Sequence, residues 1–338
     1  MKLRHALIAS SLALAFGLPT AALAQAPIVI KFSHVVADAT PKGKGAIKFK
    51  ELAEAKTKGR VKVEIYPNSQ LYKDREEMEA LQLGAVQLLA PSVSKFGPMG
   101  VRDFELFDLP YMFPNKEVLF RVTDGPVGAG LFKKLESKGI TGLAYWDNGF
   151  KQFSANKPLR TLADFKGLKV RIQSSKILEA QMKQMGANPQ VMAFSEVYTA
   201  LQQGVVDGEE NTVSNKYTQK MHEVQKHMTL SDHGVILYAV IANKKFWDSL
   251  PADVRKSLDE AMTESTRYVR EIAQNENDDA LAAVRAAKTT EVYTLPESER
   301  QVWRKAMLPL HEQYAPVVGK DNIQAIYKVI GDVAAGKK

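Results

Sequence analysis

The chain has 338 residues, a formal net charge of +8, 45% hydrophobic and 25% charged residues, and no cysteine. Without cysteine, disulfides, thiol catalysis and thiolate metal sites are excluded, and the length predicts two domains. The positive charge is spread along the chain without the clustered Lys/Arg and interleaved aromatics of a nucleic-acid binder, a pattern that suits anionic ligands or plain solubility.

Residues 1–24 read as a secretory signal peptide. Lys2 and Arg4 precede an apolar run over 6–18, and Ala22-Leu23-Ala24 forms a small-x-small site that predicts cleavage after Ala24. The run is too short to span a bilayer, and no later segment approaches eighteen consecutive apolar residues, so the mature chain is expected to be secreted and soluble. Removing the two basic residues of this leader leaves +6 over 314 residues. A chain of that length buries enough apolar surface to fold without staples, and secretion without cysteine points to a bacterial periplasm.

After Pro27, Ile28-Val29-Ile30-Lys31-Phe32 reads as a buried strand, and Pro41 opens a helix to about 58. A period-two strand at 61–66, a helix over 74–83 and a short strand at 86–90 follow. This alternation predicts a mostly parallel sheet with right-handed crossovers. The proline- and aromatic-rich stretch 106–114 interrupts it, helices from about 116 and 127 lead to Gly139, and 140–146 returns as a strand. A second α/β unit begins near 151, with a strand at 167–172, a helix over 175–185 stopped by Gly186, a helix capped by Ser195 that closes at Gly204, and a short strand over 205–211. The apolar strand 235–242 is expected to return to the first sheet. Residues 252–290 contain no glycine or proline and repeat apolar residues at the helical period; a helix of that span would be about 58 Å long at roughly 1.5 Å per residue, enough to cross both domains. A strand at 291–295 and helices over 297–317, kinked at Pro309, and 322–335 close the chain.

Enzyme signatures are missing. There is no G-x-S-x-G elbow, no phosphate-cradling P-loop and no G-x-G-x-x-G after a strand. His222 and His227 stand five apart, which turns their rings roughly 140° from one another on a helix, so solvated surface is expected and no metal or cofactor. Glu209 and Glu210 are adjacent on a strand and point to opposite faces, which suggests one turn carboxylate and one solvated one. Polar residues do cluster at strand ends, where open α/β sheets bind ligands. These are His34 and Lys42 after the first strand, Ser92 and Ser94 after the third, Arg171 within Lys-Val-Arg-Ile, and Asn211. Alternation puts Arg171 on the face opposite Val170 and Ile172. There its guanidinium suits either a bidentate carboxylate pair or a structural strand-to-helix salt bridge.

Several segments together resemble the DctP-type periplasmic substrate-binding proteins of TRAP (tripartite ATP-independent periplasmic) transporters. They are Phe32-Ser33-His34-Val35-Val36 with Thr40-Pro41-Lys42-Gly43, Trp146-Asp147-Asn148-Gly149-Phe150-Lys151-Gln152, Gly167-Leu168-Lys169-Val170-Arg171, Met192-Ala193-Phe194-Ser195-Glu196-Val197-Tyr198, and Gln203 through Asn211. The resemblance implies an α/β, two-domain periplasmic-binding-protein fold with a ligand cleft and a long helix spanning both domains. Domain I would comprise 25–148 plus 237–276 and domain II 149–236 plus 277–338. It further implies that Arg171 pairs with a ligand carboxylate, that Asn211 hydrogen-bonds it, and that Phe194 lines the cleft, a role compatible with a staple at its helix end. Sialic-acid-binding relatives carry arginine at the place of Lys151, and the Asn-Gly-Phe-Lys-Gln form here looks like that of dicarboxylate binders. A four-carbon dicarboxylate (succinate, fumarate or malate) is therefore expected, its second carboxylate meeting Lys42, Lys151 or His34. Ser92, Tyr238 and Trp146 complete the candidate set, each equally compatible with a turn or core role, and His233 is expected to support its neighbouring strand.

By the same resemblance the partners are a small organic acid and the small and large integral membrane subunits of the transporter; the charge distribution argues against nucleic acid, and a monomer is favoured over the dimer that the long terminal helices would permit. The competing expectations are a binding protein for another acid, such as a 2-oxo or aromatic acid, a sensory binding protein serving a membrane histidine kinase, and a periplasmic enzyme using His34 or Glu209 as acid/base near the same arginine.

Overall fold

The computed structural model describes residues 26–337, so the signal peptide and its cleavage site lie outside the described residues. Among the described residues no helix is long and apolar enough to cross a membrane. The chain opens with β1 (Ile28–Ser33), α1 (Pro41–Lys56), β2 (Val61–Tyr66), α2 (Asp74–Gln82) and β3 (Leu88–Leu89). Thr40 caps α1 by accepting from the Gly43 N–H, and Pro41 sits at the first helical position, where its missing donor costs nothing. After three 3₁₀ turns come α3 (Lys116–Asp124), α4 (Pro126–Leu135) and the long β4 (Ile140–Phe150), which runs almost directly into β5 (Gln152–Ala155).

The second unit contains β6 (Lys169–Ile172), α5 (Lys176–Gln184), β7 (Asn188–Val191), α6 (Val197–Gln202), β8 (Gly208–Asn211), α7 (Val213–Thr218) and β9 (His227–Leu230). β10 (Val235–Asn243) returns, followed by α8 (Lys244–Ser249), α9 (Ala252–Ala287), β11 (Glu291–Thr294), α10 (Glu297–Met307), α11 (Pro309–Val318) and α12 (Lys320–Ala334). Two sheets result, ordered β2-β1-β3-β10-β4 and β11-β9-β5-β8-β6-β7. In the first, β1 is parallel to β2 and β3, but β10 enters antiparallel between β3 and β4. The expectation of a mostly parallel sheet is thus corrected. The chain leaves the first lobe along β4 and comes back along β10, and two neighbouring passes in opposite senses must pair antiparallel.

β10 is buried along its whole length, as a central strand covered on both faces must be. One face packs on a cluster with Ala46, Phe49, Trp146 and Val254, and the other on one with Phe104, Leu106, Phe113 and Val118. The second sheet has its own core around Phe153, Phe165, Met182 and Trp303. α9, 36 residues long, buries Val254, Leu258, Met262 and Val269 against the first lobe, and Ala280 and Val284 against α7 and β9 of the second. At roughly 1.5 Å per residue it spans about 54 Å.

Three expectations differ locally. Ser195 does not cap a helix: 194–196 is a 3₁₀ turn and α6 begins at Val197. β7 was not legible because Pro189 and the polar Asn188 and Gln190 lack strand patterning; it survives as an edge strand paired only to β6. The division that assigns 277–338 wholly to the second lobe also changes. α10 packs on the second core, whereas Val318, Ile323 and Ile326 join the first, with α12 against α3.

Candidate ligand-binding site

The two lobes meet over the strand ends. From the first come Val35 and Val36 after β1, Asp74 at the start of α2, Ser92 and Lys95 after β3, and Tyr238 of β10; from the second come Arg171 of β6, Gln173, Phe194, and Asn211 and Asn215 around the end of β8. They line a small cavity of about 20 Å³. Beside it lies a groove of about 1030 Å³, and Asp74, Lys95, Arg171 and Gln173 line both.

Arg171 is 2% exposed. Its Nε and Nη2 donate to the Met192 carbonyl at 3.1 and 2.8 Å, which fixes the guanidinium plane, while Nη1 has no protein partner. The group lies 5.8 Å from the centre of the Phe194 ring, a cation–π distance. Phe194 donates its backbone N–H to Asp74 across the cleft at 2.6 Å, and its ring packs with Val35 and Val36 of the opposite lobe. Asn211 Oδ1 accepts from the Thr212 N–H at 3.0 Å and from Asn215 Nδ2 at 2.9 Å, and Asn215 Nδ2 also donates to the Tyr238 hydroxyl at 3.1 Å. Ser92 donates to Ser94, which donates to Asp108.

Of the expected residues, Arg171, Asn211, Phe194, Ser92 and Tyr238 share the cavity, and Lys42, Lys151, His34 and Trp146 are not among its lining residues. Lys42 Nζ donates to the Ala90 carbonyl at 2.9 Å and sits 3.8 Å over the Tyr238 ring. Lys151 pairs with Glu210 at 2.9 Å and lies 3.9 Å from Asp108. His34 is fully buried with neither ring nitrogen hydrogen-bonded. Trp146 is a core residue whose indole donates to Thr266 at 2.9 Å. Glu209 and Glu210 do project to opposite faces, yet both are fully buried, contrary to expectation, because each has a lysine of its own: Lys216 for Glu209 and Lys151 for Glu210. His222 is likewise buried, against Tyr217. His233 stacks on Phe153 at 3.9 Å and lies 3.6 Å from Glu210.

The family model for the bacterial extracellular solute-binding proteins, family 7 (DctP), matches residues 32–316. The chain belongs to this family. It is 63% identical over 318 residues to the C4-dicarboxylate-binding periplasmic protein DctP of Rhodobacter capsulatus, covering 94% of this chain and 95% of that one. A TRAP periplasmic solute-binding protein from Shewanella oneidensis with bound succinate superposes with a TM-score of 0.87 at 45% identity, covering 90% of this chain and 99% of that one. One from Pseudomonas aeruginosa with bound L-malate gives 0.83 at 43% identity, covering 85% and 100%.

In this member of the DctP family the electrostatics of the site come chiefly from residues that sequence patterning did not single out. Burial works against the Asp74 carboxylate, but the Lys95 ammonium, Arg171 and the Phe194 N–H hold its pKa down at about 2. Burial likewise opposes the Lys95 charge and is outweighed by Asp74 and Glu77, so Lys95 stays cationic. Lys42 is lowered to about 7, first by burial and then by the Lys95 charge. Glu77 is raised to about 7 by burial despite both lysines. His34 drops to about 3 through burial and the neighbouring Lys42. Lys95 was within reach of the strand-end argument, standing one residue beyond Ser94 in the loop after β3. Asp74 was hidden by its ordinary place at a helix start.

Proposed function

We propose that this protein is the periplasmic solute-binding subunit of a TRAP transporter and captures a four-carbon dicarboxylate: succinate, fumarate or malate. Arg171 carries the proposal. It is a buried guanidinium, oriented by Met192 and stacked near Phe194, with one amino group unpartnered at the wall of the interlobe cavity. A carboxylate placed there receives charge-assisted hydrogen bonds in a low-dielectric setting, and Asn211, held by Asn215, adds a polar contact beside it. The succinate- and malate-bound relatives support this substrate class.

Capture works by closure. A ligand that touches Arg171 on one lobe and first-lobe groups on the other favours the closed form by its extra contacts there. The closed protein then presents its cargo to a small and a large integral membrane subunit, after export with cleavage behind Ala24. The rival acid/base chemistry finds little support, since His34 is fully buried and does not line the cavity, and Glu209 is engaged by Lys216 and Ser154.

Calorimetry and thermal unfolding of the mature chain with succinate, fumarate and malate test the reading. Ligand at a hundred times its dissociation constant stabilises the fold by about 2.7 kcal/mol. Arg171→Ala should abolish that stabilisation, and Arg171→Lys should recover little of it, because an ammonium lacks the planar fork. Unchanged melting with every dicarboxylate, or undiminished binding by Arg171→Ala, would overturn it.

A further inference from the structure

We infer that Lys95 receives the second carboxylate of the ligand, and that Asp74 and Glu77 are positioning residues that hold its ammonium at the cavity wall. The inference deepens the dicarboxylate reading and rests on it. A four-carbon diacid carries its two charges at opposite ends, so it needs a fixed cation on each side of the cleft. Arg171 supplies one from the second lobe. Among the residues lining the cavity, Lys95 is the other cationic side chain, and it belongs to the first lobe.

Three other buried lysines, Lys42, Lys151 and Lys216, are not among the residues that line the cavity, and each is paired inside the fold. Lys42 is spent on the Ala90 carbonyl and the Tyr238 ring, Lys151 on Glu210, and Lys216 on Glu209 and Ser154. His34 faces Phe32 and lies 3.9 Å from Asp38 without a hydrogen bond to either ring nitrogen, and burial and Lys42 lower its pKa to about 3. Lys95 sits in the 3₁₀ turn after β3, 8% exposed, where it pairs with Asp74 and lies 3.5 Å from Glu77 Oε1. Both Glu77 oxygens lack hydrogen-bond partners and are buried. A buried carboxylate without a hydrogen-bond partner calls for an explanation, and holding the Lys95 charge in place supplies one. Burying an ammonium is costly, and two flanking acids offset that cost for a lysine that lines the cavity.

The test compares succinate with butyrate, which has the same four-carbon chain and one carboxylate, by calorimetry on the mature wild type, Lys95→Met and Lys95→Arg. Wild type should prefer succinate strongly. Lys95→Met should lose roughly 100-fold in succinate affinity, the scale of one buried charge pair, and far less in butyrate affinity, so that the preference collapses, whereas Lys95→Arg should retain most of it. Because Lys95→Met strands two acids, Lys95→Met/Asp74→Asn provides a variant with less unpaired charge, and it should show the same loss of preference. A wild type that binds succinate while Lys95→Met and the double variant discriminate as before would overturn the role of Lys95 and leave the dicarboxylate reading standing. A wild type with no preference for succinate over butyrate would remove that reading and this inference together.

Discussion

His34 shows how a buried residue beside a cavity couples folding stability to pH. Its ring is fully buried, has no hydrogen-bond partner, and has its pKa lowered from 6.5 to about 3 by burial and by Lys42. Between those two values the unfolded chain binds more protons at this position than the folded one. Stability therefore increases with pH through this window and is lost as pH falls from about 6.5 toward about 3, by up to about 1.4 kcal/mol per pH unit for one proton. His34→Gln should flatten this acid limb relative to wild type in urea unfolding at pH 7.5, 6 and 5, with Arg171-dependent binding retained. Parallel slopes in the two proteins would show that His34 does not titrate in this way. Lys151 carries a similar lesson. Its partners Glu210 and Asp108 are buried with it, so its charge compensates acids inside the fold and is not offered to solvent.

At the scale of elements, α9 is the part that joins the lobes, and α1 lies along its first half at close range. Gly45 permits this approach: a Cβ there would come within 2.4 Å of Val269 Cγ2 and 3.1 Å of the Trp146 ring. Gly45→Ala would gain helix propensity, about 1 kcal/mol, and lose more to overpacking against a β-branched side chain that cannot rotate away. A net destabilisation of about 1–2 kcal/mol is expected, and adding Val269→Ala should relieve it, giving a coupling of at least about 1 kcal/mol in a double-mutant cycle. Strict additivity would show that the helices do not meet as described. Farther along α9, Asn277 donates to the Asn148 carbonyl at 2.9 Å and accepts from the Ser214 N–H at 3.0 Å. One side chain in mid-helix thus ties the end of β4 to the start of α7, on either side of the strand crossing.

For the molecule as a whole, closure combines apolar and polar contacts across the cleft. Val35 and Val36 of the first lobe pack with Phe194, Val197 and Leu201 of the second. Beside them Lys73 pairs with Glu196 at 2.7 Å, and Asp74 accepts from the Phe194 N–H. The Lys73–Glu196 pair is half exposed, so it biases the open-to-closed equilibrium only modestly. Lys73→Glu turns the attraction into repulsion. It should weaken dicarboxylate binding about threefold to fivefold, with a larger radius of gyration by solution scattering, and Lys73→Glu/Glu196→Lys should restore both. Equal affinity and radius in all three proteins would remove the pair from the closure balance.

Sequence alone determined what depends on neighbours along the chain. Hydrophobic period, caps and breakers located α1, α2, the long α9 and the break at Pro309, and the alternation in Lys169-Val170-Arg171-Ile172 set Arg171 on the face away from Val170 and Ile172. Resemblance of short segments pointed to the family. What sequence patterning left open is what depends on residues far apart in the chain. Whether Lys151 or Lys95 faces the cavity is decided by which acid stands opposite each, Glu210 some sixty residues away for one and Asp74 on another element for the other. Glu209 and Glu210 read as one turn carboxylate and one solvated one because their lysines cannot be seen from local spacing. The antiparallel insertion of β10 and the return of α12 to the first lobe were likewise set by where the chain crosses between lobes. Local patterning reports the energetics of a helix turn or a strand pleat, whereas the state of a buried charge is set by the field of everything packed around it, and only the tertiary structure brings those groups together.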